Sequence, residues 1–295
     1  MSGRAGKLRS LTGIDYEDKT QKGLQNLFKR LLKNGMHGLC FSPYEEGQEP
    51  GDQITEEQIR RRMKIIAPYT KWIRSFSCTD GNEAIPRIAR EFGLKTMVGA
   101  WLGDDPEINK KEIAKLIELG NEGYVDIAAV GNEVMYRKDL SEEELLEFMY
   151  QVKEALPEIP MGYVDAYYEF SNRPRITDAC DVILANCYPF WEGCPLEYSL
   201  VYMKEMYNQA VRAANGKKVI ISETGWPTMG ASFEGSHPSF HNAVKYFINT
   251  QQWSAADNIE VFYFSSFDES WKVGAEGDVG AYWGIWDKDE KLKKF

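Results

Sequence analysis

The sequence predicts an α/β fold, a single (β/α)8 TIM barrel with a helix preceding strand one, and three observations point there. Short β-branched or aromatic runs alternate with longer amphipathic segments along the whole chain, eight such runs can be traced, and the fourth and seventh break off into glycine-containing segments that carry a glutamate. With 295 residues, 43% of them hydrophobic, the chain is long and apolar enough to bury one core of that size.

The chain opens with an extension, residues 1–35. Within it Leu24, Leu27, Phe28, Leu31 and Leu32 recur at helical spacing, predicting a helix that packs on a barrel formed by residues 36–295. The eight strands are expected to begin near Gly38, Trp72, Lys95, Val125, Pro160, Asp181, Lys218 and Ile259. Between them, Ser141 and Glu144 form a capping box before a stripe of Leu145, Met149, Val152 and Leu156, and Pro157 ends that helix. Pro106 suits a first helical turn and Gly120 the stop of the same helix, while Met203, Met206, Tyr207, Ala210 and Val211 make another inward stripe. No composition break or low-complexity linker marks a further domain boundary.

Charge and cysteine usage exclude several functions. Lys and Arg total 35 against 45 Asp and Glu, a net charge of -10 that repels nucleic acid and anionic lipid. No window approaches a membrane-spanning apolar run, and the first residues lack the apolar stretch of a signal peptide. As written, the chain reads as cytoplasmic; an exported enzyme shorn of its leader, extracellular or periplasmic, is the alternative. Cys40, Cys78, Cys180, Cys187 and Cys194 are an odd set without a Cys-x-x-Cys pair, and His237 and His241 flank Pro238 without a carboxylate companion, so free thiols and no metal are expected.

The chemistry concentrates at Gly131-Asn132-Glu133-Val134 after strand four and Ser222-Glu223-Thr224-Gly225 after strand seven. Barrel enzymes build their active sites at this C-terminal rim. A lone strand-end Glu is most often a solvated carboxylate or a salt-bridge partner, but two, each ending an apolar strand inside a Gly-containing motif, fit a paired-carboxylate site. Hydrolysis with retention needs one protonated and one ionised carboxyl about 5 to 5.5 Å apart, and the ends of strands four and seven can hold that spacing. Asn132, just before the first Glu, can donate to a sugar 2-hydroxyl. Tyr44, Trp101, Tyr167, Phe190, Trp191, Trp226 and Trp271 fall at or past strand ends and are candidates to stack on glucose rings, with barrel packing the competing use.

The Val130-Gly-Asn-Glu-Val134 and Ile221-Ser-Glu-Thr-Gly-Trp-Pro227 segments resemble the two signatures of glycoside hydrolase family 17, the β-1,3-glucanase family. Phe41-Ser-Pro-Tyr44, Asn186-Cys-Tyr-Pro189, Phe267-Asp-Glu-Ser-Trp-Lys272 and Tyr282-Trp-Gly-Ile285 fall where the family has related segments, so the resemblance spans nearly the whole barrel. The loop Glu46-Gly-Gln-Glu-Pro-Gly51 departs from the plant-type pattern and looks closer to bacterial-type members.

The resemblance implies a retaining enzyme acting on β-glucan oligo- or polysaccharide without a cofactor, with Glu133 as acid/base and Glu223 as nucleophile. It further implies that Tyr188 donates to the nucleophile and that Glu269 and Lys272 belong to a neighbouring hydrogen-bonded network; by position alone that pair reads equally as a rim salt bridge. Arg74, ending strand two, is a candidate to keep Glu223 ionised, and burial with a like charge should raise the pKa of Glu133. A covalent glycosyl-enzyme can be captured by a sugar as well as by water, so transglycosylation is a second outcome of the same chemistry. The competing readings are a glucan-binding barrel without catalysis and the same chemistry on β-1,4 or mixed-linked glucan.

Overall fold

In the computed structural model, which describes residues 19–274 and 276–294, eight parallel strands close into a barrel in chain order. They are β1 (Met36–Cys40), β2 (Thr70–Ser75), β3 (Lys95–Ala100), β4 (Ile127–Asn132), β5 (Met161–Ala166), β6 (Val182–Asn186), β7 (Lys218–Thr224) and β8 (Val261–Tyr263). β1 closes the circle against β8 through Gly38↔Phe262 and Leu39↔Tyr263. Each strand begins within two residues of the position expected from its apolar run.

The outer layer follows the capping chemistry. The first helix, α1 (Gln21–Asn34), is capped by Thr20 and buries Leu24, Leu27, Phe28 and Leu32; Phe28 meets Phe247 with ring centroids 5.0 Å apart. The sequence-level extension begins at residue 1, and residues 1–18 of it lie outside the described residues. The helices that follow the strands are α2 (Glu56–Ile66), α3 (Ala84–Glu91), α4 (Pro106–Asn121), α5 (Glu142–Ala155), α6 (Pro174–Ala179), α7 (Leu196–Ala213) and α8 (Phe240–Asp257). Ser141 and Glu144 form the reciprocal capping box of α5, whose Leu145, Met149 and Val152 are buried.

Two local expectations are corrected. Gly120 does not stop α4: it lies inside the helix, closely packed by Leu156, and the left-handed turn falls on Gly123 at φ 84°. Val211 is 42% exposed, because the inward face of α7 is carried by Met203, Met206 and Ala210, and position 211 turns off that stripe.

Candidate active site

The barrel does not hold its regular register at the two strands that carry the glutamates. Pairing slips between Ala129 and Asn132 on β4, and on β7 the slip sets Asn186 of β6 opposite Glu223. Such bulges re-aim side chains at barrel rims. At the end of β4, Gly131 has φ 81°, and a Cβ there would lie 2.9 Å from the Val134 side chain, so glycine is required. Glu133 follows in the left-handed region, φ 52° and ψ 28°, its N–H donating to the Val164 carbonyl at 2.7 Å.

These turns point Glu133 and Glu223 into one cavity of about 480 Å³. The Asn186 amide donates to Oε1 of both, at 2.9 Å to Glu133 and 3.2 Å to Glu223. Two oxygens that share one nitrogen at those distances can be no more than about 6 Å apart, below the roughly 6.5 to 9.5 Å of sites that place a water between carboxylate and sugar. Tyr188 donates its hydroxyl to Glu223 Oε2 at 2.7 Å, and Arg74 pairs with Oε1.

Arg74 is buried, so its charge is not screened by bulk water. Its second nitrogen donates to Asn132 Oδ1 at 2.6 Å, and its guanidinium lies 4.2 Å over the Phe76 ring. Burial alone opposes the Arg74 charge, and Glu223 outweighs it, holding the guanidinium firmly protonated. Asn132 is outside the cavity lining and orients Arg74.

The two carboxyl groups stand in different surroundings. Burial pushes Glu133 up to about 7, with the Glu223 and Asp165 charges adding to the rise, while the Asn186 hydrogen bond and Arg137 oppose it. Glu223 instead receives a guanidinium, a phenol and an amide. One group is thus set to hold a proton near neutrality, while the other faces three hydrogen-bond donors.

A second ionic cluster flanks Glu223. Lys272 pairs with Glu269 at 2.9 Å and lies 4.2 Å over the Phe264 ring, and Trp271 Nε1 donates to the other Glu269 oxygen at 3.2 Å. Glu269 is 6% exposed, which removes the reading of a solvated rim salt bridge. Burial works against the Lys272 charge, but Glu269, Glu276 and Glu223 outweigh it.

The aromatic candidates divide. Tyr167 and Trp191 line the cavity. Tyr44 is buried beside Trp271, ring centroids 6.0 Å apart, with its hydroxyl accepting from Asn82 at 3.3 Å. Trp101 stands outside the lining, 39% exposed beneath the Arg137 guanidinium. Two candidates are corrected: Trp226, 1% exposed, is wedged between Phe190 and Tyr246 with its Nε1 bonded to the His237 carbonyl, and Phe190 is fully buried. Both rings pack the wall rather than face a ligand.

Several lining residues escaped the sequence reading. Tyr136, Tyr168, Glu192, Phe233, Glu276 and Trp283 all contribute, as does the bridging Asn186. Asn186 ends β6 as Glu133 follows β4, so the strand-end rule that found the glutamates applies to it as well. Glu276 lies in an aperiodic loop after β8 and leaves no pattern to read.

A closed parallel barrel with two carboxyl groups drawn together at its C-terminal face is the architecture of a (β/α)8 glycoside hydrolase. The chain belongs to the BtgE/BtgC glycoside hydrolase domain family, whose profile matches residues 38–284. Glucan 1,3-beta-glucosidase BGL2 of Candida albicans is 28% identical over 263 residues, covering 78% of this chain and 83% of that protein. The crystal structure of the glycoside hydrolase family 17 beta-1,3-glucanosyltransferase from Rhizomucor miehei superposes with a TM-score of 0.79 at 29% identity, covering 88% of this chain and 96% of that one. An active-site mutant of that Rhizomucor enzyme in complex with laminaritriose superposes with the same TM-score at 28% identity, again over 88% and 96% of the two chains. The likeness to family 17 drawn from the two Glu motifs therefore holds.

Proposed function

We propose that the protein cleaves β-1,3-glucan by double displacement, with Glu133 as acid/base and Glu223 as nucleophile. The observation that carries the reading is the single Asn186 amide bonded to both carboxyl groups, which supports the short separation that direct attack requires. In the first step Glu133 gives its proton to the glycosidic oxygen as the bond to the anomeric carbon breaks, and a Glu223 oxygen forms the glycosyl ester. In the second, Glu133, now a carboxylate, takes a proton from the incoming hydroxyl, which attacks the anomeric carbon and releases Glu223. Arg74 and Tyr188 orient the nucleophile, and Asn186 keeps the two carboxyl groups in register.

The 1,3 linkage is supported by the relatives, named glucan 1,3-beta-glucosidases, and by a structural neighbour held in complex with laminaritriose. Transfer to a sugar acceptor is supported by the glucanosyltransferase neighbours and by the aromatic lining of the cavity, to which Tyr136, Tyr167, Tyr168 and Trp191 contribute. Rings there can hold an acceptor sugar against competition from water. A glucan-binding barrel without catalysis has no use for a carboxyl group held at about 7 beside a second one in this geometry.

The test is chromatography of products from laminari-oligosaccharides alongside β-1,4 and mixed-linked glucans. The reading expects shortened products from the 1,3-linked series, with longer transfer products at high substrate concentration. Binding without new products, or preferential cleavage of the β-1,4 series, contradicts it.

A further inference from the structure

The first N–H groups of a helical turn need acceptors, and the residue just before the turn usually supplies one with its side chain. The one-turn helix Val134–Arg137 begins directly after Glu133, whose side chain makes no such bond because it points to Asn186 and the cavity. The acceptors come from β5 instead. Met135 N–H donates to the Tyr163 hydroxyl at 2.9 Å, and Tyr136 N–H to Asp165 Oδ2 at 3.3 Å. The Tyr163 hydroxyl donates in turn to the same Asp165 oxygen, while Ala166 N–H holds Oδ1 at 2.7 Å. Both side chains are buried.

Glu133 itself sits at φ 52°, a backbone region that residues with side chains occupy only where their surroundings fix it. We infer that Tyr163 and Asp165 are a positioning pair for Glu133: they cap the turn that its own side chain leaves uncapped, and so aim its carboxyl at the glycosidic oxygen. The same bonds place the Asp165 charge near the Glu133 carboxyl. The groups that act on Glu133 are Glu223 from β7, Asn186 from β6, Asp165 from β5 and Arg137 from its own turn; Tyr188 stands nearby, and Glu169 faces Asp165. Burial and Glu223 act most strongly toward the protonated form, and Asp165 adds to them.

This inference rests on Glu133 being the acid, and the test separates the two. Proton donation matters for a glucosyl leaving group and little for dinitrophenolate, so kcat/KM is compared on laminaripentaose and on 2,4-dinitrophenyl β-laminaribioside. Glu133→Ala, the reference, is expected to lose about a thousandfold on the first, within the range of general acid catalysis, and far less on the second. Tyr163→Phe is expected to lose about ten- to a hundredfold on laminaripentaose, the scale of a misplaced catalytic group, and under about threefold on the aryl glycoside. Asp165→Asn keeps an acceptor for Tyr136 but removes the charge, so it should also move the alkaline limb of the laminaripentaose profile to lower pH.

Equal losses on both substrates, or none on either, overturn the pairing; Tyr163→Phe alone decides if Asp165→Asn does not fold. If Glu133→Ala itself shows no contrast between the substrates, it is the assignment of the acid that fails.

Discussion

Oε1 of Glu133 and Oε1 of Glu223, ninety residues apart in the chain, share one hydrogen-bond donor, the Asn186 amide. Sharing fixes more than distance. One N–H pair cannot follow both carboxyl groups if either swings away, so the contact ties the rims of β4, β6 and β7 into one rigid constellation. It also acts on the two groups unequally, opposing the rise in the Glu133 pKa while adding a third donor to Glu223.

Asn186→Ala therefore has two separable consequences. Losing a hydrogen bond to a charged group costs about 1.5 to 3 kcal/mol, so kcat/KM on laminarin should fall roughly ten- to a hundredfold. The alkaline limb of the pH profile should move up, because the bond removed is one that lowers the pKa of Glu133. An unchanged rate, or a limb moving down, would show that the amide does not bridge the pair in solution.

The wild-type pH dependence follows from the same group. The first step needs Glu133 protonated, and its pKa stands at about 7, so log kcat/KM should be flat below that value and fall with a slope approaching one decade per pH unit above it. Initial rates at low laminarin concentration across pH 5 to 9 read this directly. A profile still flat at pH 8.5 contradicts the placement of the proton.

Arg74 joins catalysis to stability. Arg74→Met leaves Glu223 with its Tyr188 and Asn186 donors but without the cation that pairs with it directly, and breaking a buried pair costs about 3 to 5 kcal/mol. Denaturant unfolding should register that loss, and activity should drop with it. Arg74→Lys should recover part of the stability but less of the activity, since an ammonium cannot reach Glu223 and Asn132 in one planar fork.

Trp226 and Trp191 carry opposite expectations. Trp226→Ala opens a void in packed wall, costing about 3 to 5 kcal/mol by the usual range for buried aromatics, with little effect on product pattern in protein that remains folded. Trp191→Ala removes a cavity ring and should shift products from transfer toward hydrolysis. Chromatograms from the two variants side by side decide it; a shift with Trp226 and none with Trp191 reverses the assignment.

These contrasts also show where the sequence was readable. Glu133 and Glu223 could be placed because an apolar run that stops at a charged residue marks the rim of a barrel, and the strand starts were legible from the same runs. Trp226 could not, because its position past a strand end does not reveal that Phe190 and Tyr246 close around the ring. Asp165 was hidden for a related reason: a polar residue within a β-strand gives no sign of the N–H groups it will meet on the neighbouring turn. Glu276 lies in a loop without period, at the site only because the segment after β8 contributes it, with Trp283, to the cavity lining.

The most direct test of the account is the stereochemistry of the first product. Laminari-oligosaccharide hydrolysis followed by proton NMR from the first minutes should show the β-anomer of the new reducing end appearing first, with the α-anomer growing only as mutarotation proceeds, because two displacements at one carbon restore its configuration. An α-anomer that appears first would mean a single displacement by water, and would contradict direct attack by Glu223 across the gap that Asn186 spans.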